Sequence, residues 1–294
     1  MYTITPFKSA ISFYKDLTLS NKRHIQTSQK IFPLLAMFLI LMAGSSAAQS
    51  QEFSWPDGKK AAISLTFDDG RASQVKGGTS LLDQFGIKAT FYVVPNAVRQ
   101  NLNEWKKAVA SGHEIANHSL KHPCSGNFSW ARATALEDYT LPQMQEELSQ
   151  ANKEIRELLG VECTEFAYPC GQTFVGRGKE TKSYVPVVAS LFSSGRLWLS
   201  EAPNDPTYCD LAQLTGVESD GKEFDEILPL IEAAVKNGQW LVLAGHEMGE
   251  PGPQTTRLSM LKKLLEYVKD PAHGIWIAPV GTVSKYVEKK RKSK

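Results

Sequence analysis

"ISLTFDDGRASQ", Ile63 to Gln74, drives a mostly apolar run into two adjacent aspartates, Asp68 and Asp69, ahead of Gly70. A short apolar run closed by Asp-Gly reads as a buried strand entering a turn. Such a turn needs one aspartate, not two. Adjacent like charges repel, so the second carboxylate asks for a cation beside it. Taken alone, the stretch is an ordinary turn; the rest of the chain decides whether a cation belongs there.

Outward from this stretch, apolar runs of strand length recur at residues 61–67, 89–94, 114–117, 165–168, 213–217, 240–244 and 275–278. Between most of them lie helical patterns, at 73–85, 103–111, 142–159, 223–236, 257–269 and 279–288. Strands alternating with helices predict an α/β fold with a parallel sheet and crossover helices. Residues 123–140 and 172–206 are less regular and read as long loops that shape a cleft.

The chain has 294 residues, 42% of them hydrophobic, enough for one large core or two modest ones. Before Ile31 it is basic and polar, with Lys22, Arg23 and Lys30; "IFPLLAMFLILM" and then "AGSSAAQS" follow. This pattern reads as a secretory signal over residues 1–48, cleaved before Gln49. An uncleaved anchor is the lesser reading, because the apolar run is shorter than the ~20 residues of a usual span. Residues 49–294 then form a single domain of the size of one α/β barrel. They carry 28 basic and 30 acidic residues, a formal charge of −2, which gives no basis for nucleic-acid binding. The terminal "KKRKSK" reads as a solvated end. Cys124, Cys163, Cys170 and Cys209 allow three disulfide pairings in an exported protein, and none stands in a C-x-x-C spacing that suggests a zinc knuckle.

In a barrel, residues at the carboxyl ends of strands tend to be catalytic, and the aspartate pair sits at such an end. So does "GHEIANHSLKHPC", in which His118 and His122 follow another strand. The i, i+4 spacing predicts a helical turn with both imidazoles on one face, able to share a cation. Two histidines and one carboxylate leave coordination positions open for water and substrate. His246 in "WLVLAGHEMGE" ends a third strand and suits a proton donor near neutral pH, or else a structural histidine bonded to backbone. "FAYPCGQ" runs a strand into a Pro/Gly turn whose backbone N–H groups suit an oxyanion.

"TFDDG", "HSLKH", "FAYPCG" and the late strand-end His246 occur in the order of the polysaccharide deacetylase family (NodB homology, carbohydrate esterase family four), which the chain resembles from Trp55 to Val287. The resemblance implies a distorted (β/α) barrel of about seven parallel strands with outer helices. It implies a metal-dependent hydrolase that removes acetyl groups, N- or O-linked, from a polysaccharide or oligosaccharide. Asp69, His118 and His122 would hold one divalent ion, zinc first, with cobalt, manganese or nickel able to serve. Asp68 would be the general base, His246 the general acid, and the backbone N–H of Cys170 an oxyanion donor. On this reading the two carboxylates are adjacent because one holds the metal and the other works beside it.

The chain departs from the family pattern in three places. Ala167 stands where an arginine usually orients the base, with Arg177 or Arg196 as substitutes; Cys170 replaces an aromatic; and the aspartate behind the acid histidine has only Asp205 and Asp210 as weak candidates. Ala167 brings in a carbohydrate-binding relative without strong catalysis, and a small-molecule amidohydrolase of the same barrel is the enzymatic rival. A two-histidine, one-carboxylate iron oxygenase fits the ligand types but not the order of the motifs. His113 and Glu114 read as strand-packing residues, and Trp130, Trp198 and Tyr208 as aromatics that stack on sugars or pack.

Overall fold

The strand that carries the aspartate pair lies at the centre of the sheet. In the computed structural model, which describes residues 53–198 and 202–293, β1 (Ala61–Phe67) is buried along its whole length. The predicted leader, residues 1–48, lies outside the described residues. The other strands are β2 (Thr90–Val93), β3 (Glu114–Asn117), β4 (Glu165–Ala167), β5 (Phe174–Val175), β6 (Lys182–Ser183), β7 (Ser194–Arg196), β8 (Val217–Glu218), β9 (Trp240–Gly245), β10 (Glu247–Gly249), β11 (Thr255–Arg257) and β12 (Ile275–Ile277). The main sheet runs β7-β4-β3-β2-β1-β9-β8, all parallel, and β12 pairs with the first half of β1. Leu214 exchanges backbone hydrogen bonds with Gly195 and Leu197 just before β8 (2.7 and 2.8 Å), so the two ends of the curled sheet approach each other. A distorted barrel of about seven parallel strands is therefore what forms.

The helices are α1 (Thr79–Gln84), α2 (Pro95–Gln100), α3 (Leu102–Ala110), α4 (Leu141–Leu159), α5 (Val185–Leu191), α6 (Phe224–Asn237), α7 (Leu258–Lys269) and α8 (Val280–Lys292). A π turn, Gln74–Gly78, leads into α1. The irregular stretch 172–206 is not a plain loop, since it contains β5, β6, α5 and β7. The strand expected at 213–217 is displaced to β8, behind a short 3-10 turn at Leu211–Gln213.

Strand alternation sorts the side chains into two faces. Ile63, Leu65 and Phe67 of β1 join Phe91, Val93, Ile115, Leu241 and Leu243 in the large cluster shared with the helices. The opposite parity faces the barrel interior, where Tyr92, Ala116 and Ala167 form a small cluster of their own. Continued upward, that parity carries Asp68, His118 and His246 into the mouth of the barrel. Continued downward, it carries Thr90, Glu114, Glu165 and Ser194 to the floor. There α8 plugs the barrel: Gly281 N–H donates to Glu114 Oε2 (3.0 Å) and Val280 N–H to Thr90 Oγ1 (2.9 Å). A Cβ on Gly281 would stand 2.3 Å from Glu114 Oε1, so only glycine fits.

Candidate functional site

Asp68 is an inward-facing residue one step past β1, its N–H still bonded to Gly245 O (2.8 Å) and its side chain almost fully buried. The chain then turns through two left-handed residues, Asp69 (φ 71°) and Gly70 (φ 72°). Glycine takes that conformation freely, whereas Asp69 pays roughly 1–2 kcal/mol for it. The turn swings the second carboxylate, which would otherwise face the helices, into the mouth beside the first.

His118 and His122 arrive without a helix, which corrects the expectation from their spacing. Beyond β3, Ser119 (φ 65°) and His122 (φ 52°) are left-handed. Asn117 Oδ1 accepts from Ser119 N–H (2.6 Å), and Ser119 Oγ accepts from His122 N–H (2.9 Å). Asn117 is itself pinned to α4 through Leu148 O (3.0 Å) and Asn152 Oδ1 (2.6 Å). Side-chain bonds thus do what a helical turn was expected to do. The two rings stand 4.8 Å apart, with Nε2 of His118 and of His122 at 3.5 and 3.4 Å from the same atom, Asp69 Oδ1. His118 Nδ1 lies 2.9 Å from Ala167 O, which places a proton on Nδ1 and turns Nε2 toward Asp69.

The missing arginine comes from the neighbouring strand. Ala167 on β4 pairs in register with Arg196 on β7. Arg196 is 1% exposed and sends Nη2 to both oxygens of Asp68, 2.5 Å from Oδ2. Its guanidinium also lies over the ring of Tyr92, 5.0 Å from the centroid. Of the two substitutes considered from sequence, Arg177 is excluded, because it lies on the surface with Asp138.

The aspartate behind His246 is Asp220, which sequence reasoning missed. Its Oδ2 is 2.7 Å from His246 Nδ1, and its Oδ1 accepts from His246 N–H (3.1 Å) and Thr256 Oγ1 (2.8 Å). Asp205 and Asp210 instead hold local turns through Thr207 and Ala212 N–H groups. The signal was "VESDG", a short strand ending in Asp-Gly like β1 itself.

Two further residues tie the mouth together. Gln74, in the π turn, donates Nε2 to Asp68 O (2.6 Å) and His246 O (2.9 Å), stapling two strand ends. Arg71 grips Asp69 Oδ2 through Nε (3.0 Å) and Nη2 (2.8 Å), and reaches Glu247 (3.3 Å) and Gln254 (2.9 Å). Only Oδ1 of Asp69 is then left to face the histidines. Cys170 (φ 55°) sits in the turn after β4, joined by a disulfide to Cys124. Cys163 and Cys209 are free thiols.

Burial pushes the Asp69 carboxyl upward, but the hydrogen bond from His118 and the positive fields of His118, His122 and His246 hold it far below the usual carboxylate range. Burial and the neighbouring His118 lower His122 to about 4. Burial also opposes charge on His118, yet Asp68 and Asp69 outweigh it and raise its pKa. Asp69, His118 and His122 offer three donor atoms within 4.8 Å of one another, two nitrogen and one oxygen, with an oriented imidazole and an oriented carboxylate. That set suits a divalent cation such as zinc. The cavity above it measures about 670 Å³ and includes Asp68, His246, Trp130 and Trp198 in its lining.

Residues 56–184 match the family model described as polysaccharide deacetylase. Among curated proteins, the peptidoglycan-N-acetylglucosamine deacetylase PgdA of Listeria monocytogenes is 42% identical over 62 residues, 21% of this chain and 13% of that protein. A gellan lyase of a Bacillus species is 29% identical over 119 residues, 40% of this chain and 4% of that protein. The chain spans between 4% and 25% of the length of the first curated relatives it matches. Among solved structures, a Mycobacterium smegmatis protein described as a polysaccharide deacetylase superposes with a TM-score of 0.59 at 17% identity, covering 82% of this chain and 94% of that one. That likeness is one of fold.

Proposed function

We propose that this chain, whose residues 56–184 match the polysaccharide deacetylase family model, is an exported, metal-dependent hydrolase that removes acetyl groups, from amide or ester linkage, on a polysaccharide or oligosaccharide. The observation that carries the reading is Asp69 Oδ1 within 3.5 Å of both imidazole Nε2 atoms, with a second carboxylate pinned beside it. Asp69, His118 and His122 hold one divalent ion, zinc by ligand type. When bound, such an ion supplies Lewis acidity that polarises the acetyl carbonyl and acidifies water.

Asp68 accepts the proton of the attacking water, and Arg196, bonded to both of its oxygens, keeps that carboxylate aimed. His246 gives a proton to the departing amine or alkoxide. With Nδ1 directed at Asp220, its Nε2 is the atom free for that transfer. The Cys170 N–H meets the charge that develops on the carbonyl oxygen. Water adds to the acetyl carbon, the C–N or C–O bond breaks, and acetate leaves as the sugar regains a hydrogen. Export is supported by the leader-like residues 1–48 and by the Cys124–Cys170 disulfide, a bond of oxidising compartments. No described helix is long and apolar enough to cross a membrane.

Acetate release from chitooligosaccharides, peptidoglycan glycan fragments and acetylated xylan tests the proposal, with the protein stripped by chelator and then reloaded. Release that vanishes on stripping and returns with zinc or cobalt is expected. A reloaded protein inert on all three overturns it.

A further inference from the structure

Among the described residues three large hydrophobic side chains are exposed: Phe128 (44%), Trp130 (62%) and Tyr208 (90%). Two of the three stand together in the lining of the site cavity. Phe128 and Trp130 stack on each other, centroids 5.6 Å apart and planes 22° apart. Trp130 in turn stands 5.9 Å from the ring of His122. We propose that this pair is a binding subsite for a pyranose ring of the glycan chain, adjoining the sugar that presents its acetyl group to Asp69, His118 and His122. The proposal rests on the glycan-deacetylase reading of the site and extends it: the protein grips at least two successive sugars.

The segment is built to hold the pair in place. Ser125 N–H donates to Gln172 Oε1 (2.7 Å), while Ser125 Oγ and Gly126 N–H donate to Glu137 (2.6 and 2.8 Å). The Cys124–Cys170 disulfide ties its start to the turn after β4, and Ala131 beside Trp130 is buried. Aromatic faces fixed in water give up no side-chain freedom when a ligand covers them, which favours binding. The shape of the patch selects the ligand. Two rings fall far short of the roughly 1,200–2,000 Å² of a specific protein interface. They share the cavity lining with polar groups, among them His122, Arg71 and Gln254. A pyranose matches this: an apolar C–H face to lie on a ring, and hydroxyls at its edge for the polar border. The cavity of about 670 Å³ is also of a size that encloses a ligand larger than an acetyl group.

Calorimetric titration of the zinc-loaded protein tests this, with chitotetraose, xylotetraose and a peptidoglycan glycan tetrasaccharide, each against its own monosaccharide. At least one tetrasaccharide is expected to bind more tightly than its monosaccharide. Trp130→Ala and Phe128→Ala are each expected to reduce that ratio about ten-fold, the worth of one covered aromatic face. Tyr208→Ala, an equally simple loss of an exposed ring, leaves it unchanged. A ratio that survives Trp130→Ala overturns the proposal, as does wild-type protein that binds none of the tetrasaccharides. If Trp130→Ala instead abolishes self-association in sedimentation, or adsorption to phosphatidylglycerol vesicles, with the ratio intact, the pair serves a second copy or a lipid surface and the proposal fails. Acetate release by the wild type on tetra-N-acetylchitotetraose, the peptidoglycan tetrasaccharide and acetylated xylotetraose separates this from the hydrolase reading. Binding through Trp130 without acetate release refutes catalysis and leaves the platform standing.

Discussion

The barrel interior holds two pairs of carboxylates, one at each end, and the pairs are treated oppositely. At the mouth, Asp68 and Asp69 are matched by two arginines, Arg196 on the first and Arg71 on the second. At the floor, Glu114 and Glu165 are hydrogen-bonded by neutral donors, Thr90 and Gly281 N–H for Glu114 and Ser194 and Thr164 for Glu165, with Lys285 a weaker, unpaired influence on both. Burial raises Glu114 and carries Glu165 up to about 8, with Glu114 adding to the shift. Burial opposes charge on Asp69 as it does on the two glutamates, but at the mouth the histidines outweigh it and at the floor nothing does. One end keeps the Asp69 anion ready for a cation, with Asp68 pinned beside it. The other keeps a neutral acid as part of a hydrogen-bonded plug under α8.

The largest effect divides the mouth pair itself. Asp68→Asn is expected to keep bound metal and lose activity by about 10²–10⁴-fold, since an amide cannot take the water's proton. Asp69→Asn is expected to lose metal, with partial recovery of acetate release at high metal concentration. Metal analysis alongside acetate release decides the matter, and the reverse pattern would exchange the two roles.

Next in size is the removal of a cation from the mouth. Arg196→Ala leaves Asp68 buried, 3% exposed, without its partner. Breaking such a pair typically costs about 3–5 kcal/mol, visible as a lower urea midpoint with an unchanged slope. A loss under about 1 kcal/mol would mean that water or a bound ion already compensates Asp68, and the contrast with the floor would lose its basis.

These residues also show what the sequence made legible. Asp68–Asp69 and His118–His122 carry their signal locally, as adjacent carboxylates and as a fixed spacing after an apolar run. Arg196 carries none and Asp220 only the faint one of an Asp-Gly turn, because each acts on a partner that only the fold supplies. Arg196 lies 128 positions from Asp68 and Asp220 lies 26 from His246. Their strands, β7 and β8, are three and two residues long, too short for any alternation to be read. The helical turn expected for His118 and His122 failed for a related reason. Spacing specifies which residues can share a face, but Asn117 and Ser119 took over the backbone bonds and the chain turned left-handed instead.

The floor yields the third effect. A carboxyl whose folded pKa stands above its unfolded value contributes stability that is complete below the unfolded pKa and is lost as pH rises through the folded one. For Glu165 that window opens near 4.5 and closes near 8. Wild-type Tm should therefore fall between about pH 5.5 and about pH 8.5, and Glu165→Gln, neutral throughout, should reduce that fall by roughly 5 °C. An equal fall in both proteins would place the titrating group elsewhere.

The smallest effect concerns the second arginine of the mouth. Arg71 is about a third exposed, with a side-chain relative accessibility of 29%, so as a mere charge it is worth little. Its geometry matters more. By holding Oδ2 of Asp69 in a two-pronged grip, it presents Oδ1 alone to the imidazoles, and Glu247 and Gln254 fix the guanidinium in turn. Loss of a group that orients a ligand typically weakens metal binding about 10–100-fold, and Arg71→Ala is expected at the lower end of that range. Arg71→Lys separates charge from geometry. An ammonium keeps the charge but cannot make the planar fork. If orientation is what Arg71 contributes, the lysine variant binds zinc about as weakly as the alanine variant in a competition titration with a chromogenic chelator. If the lysine variant matches wild type, Arg71 acts only by its charge, and the two-pronged geometry contributes nothing to metal binding.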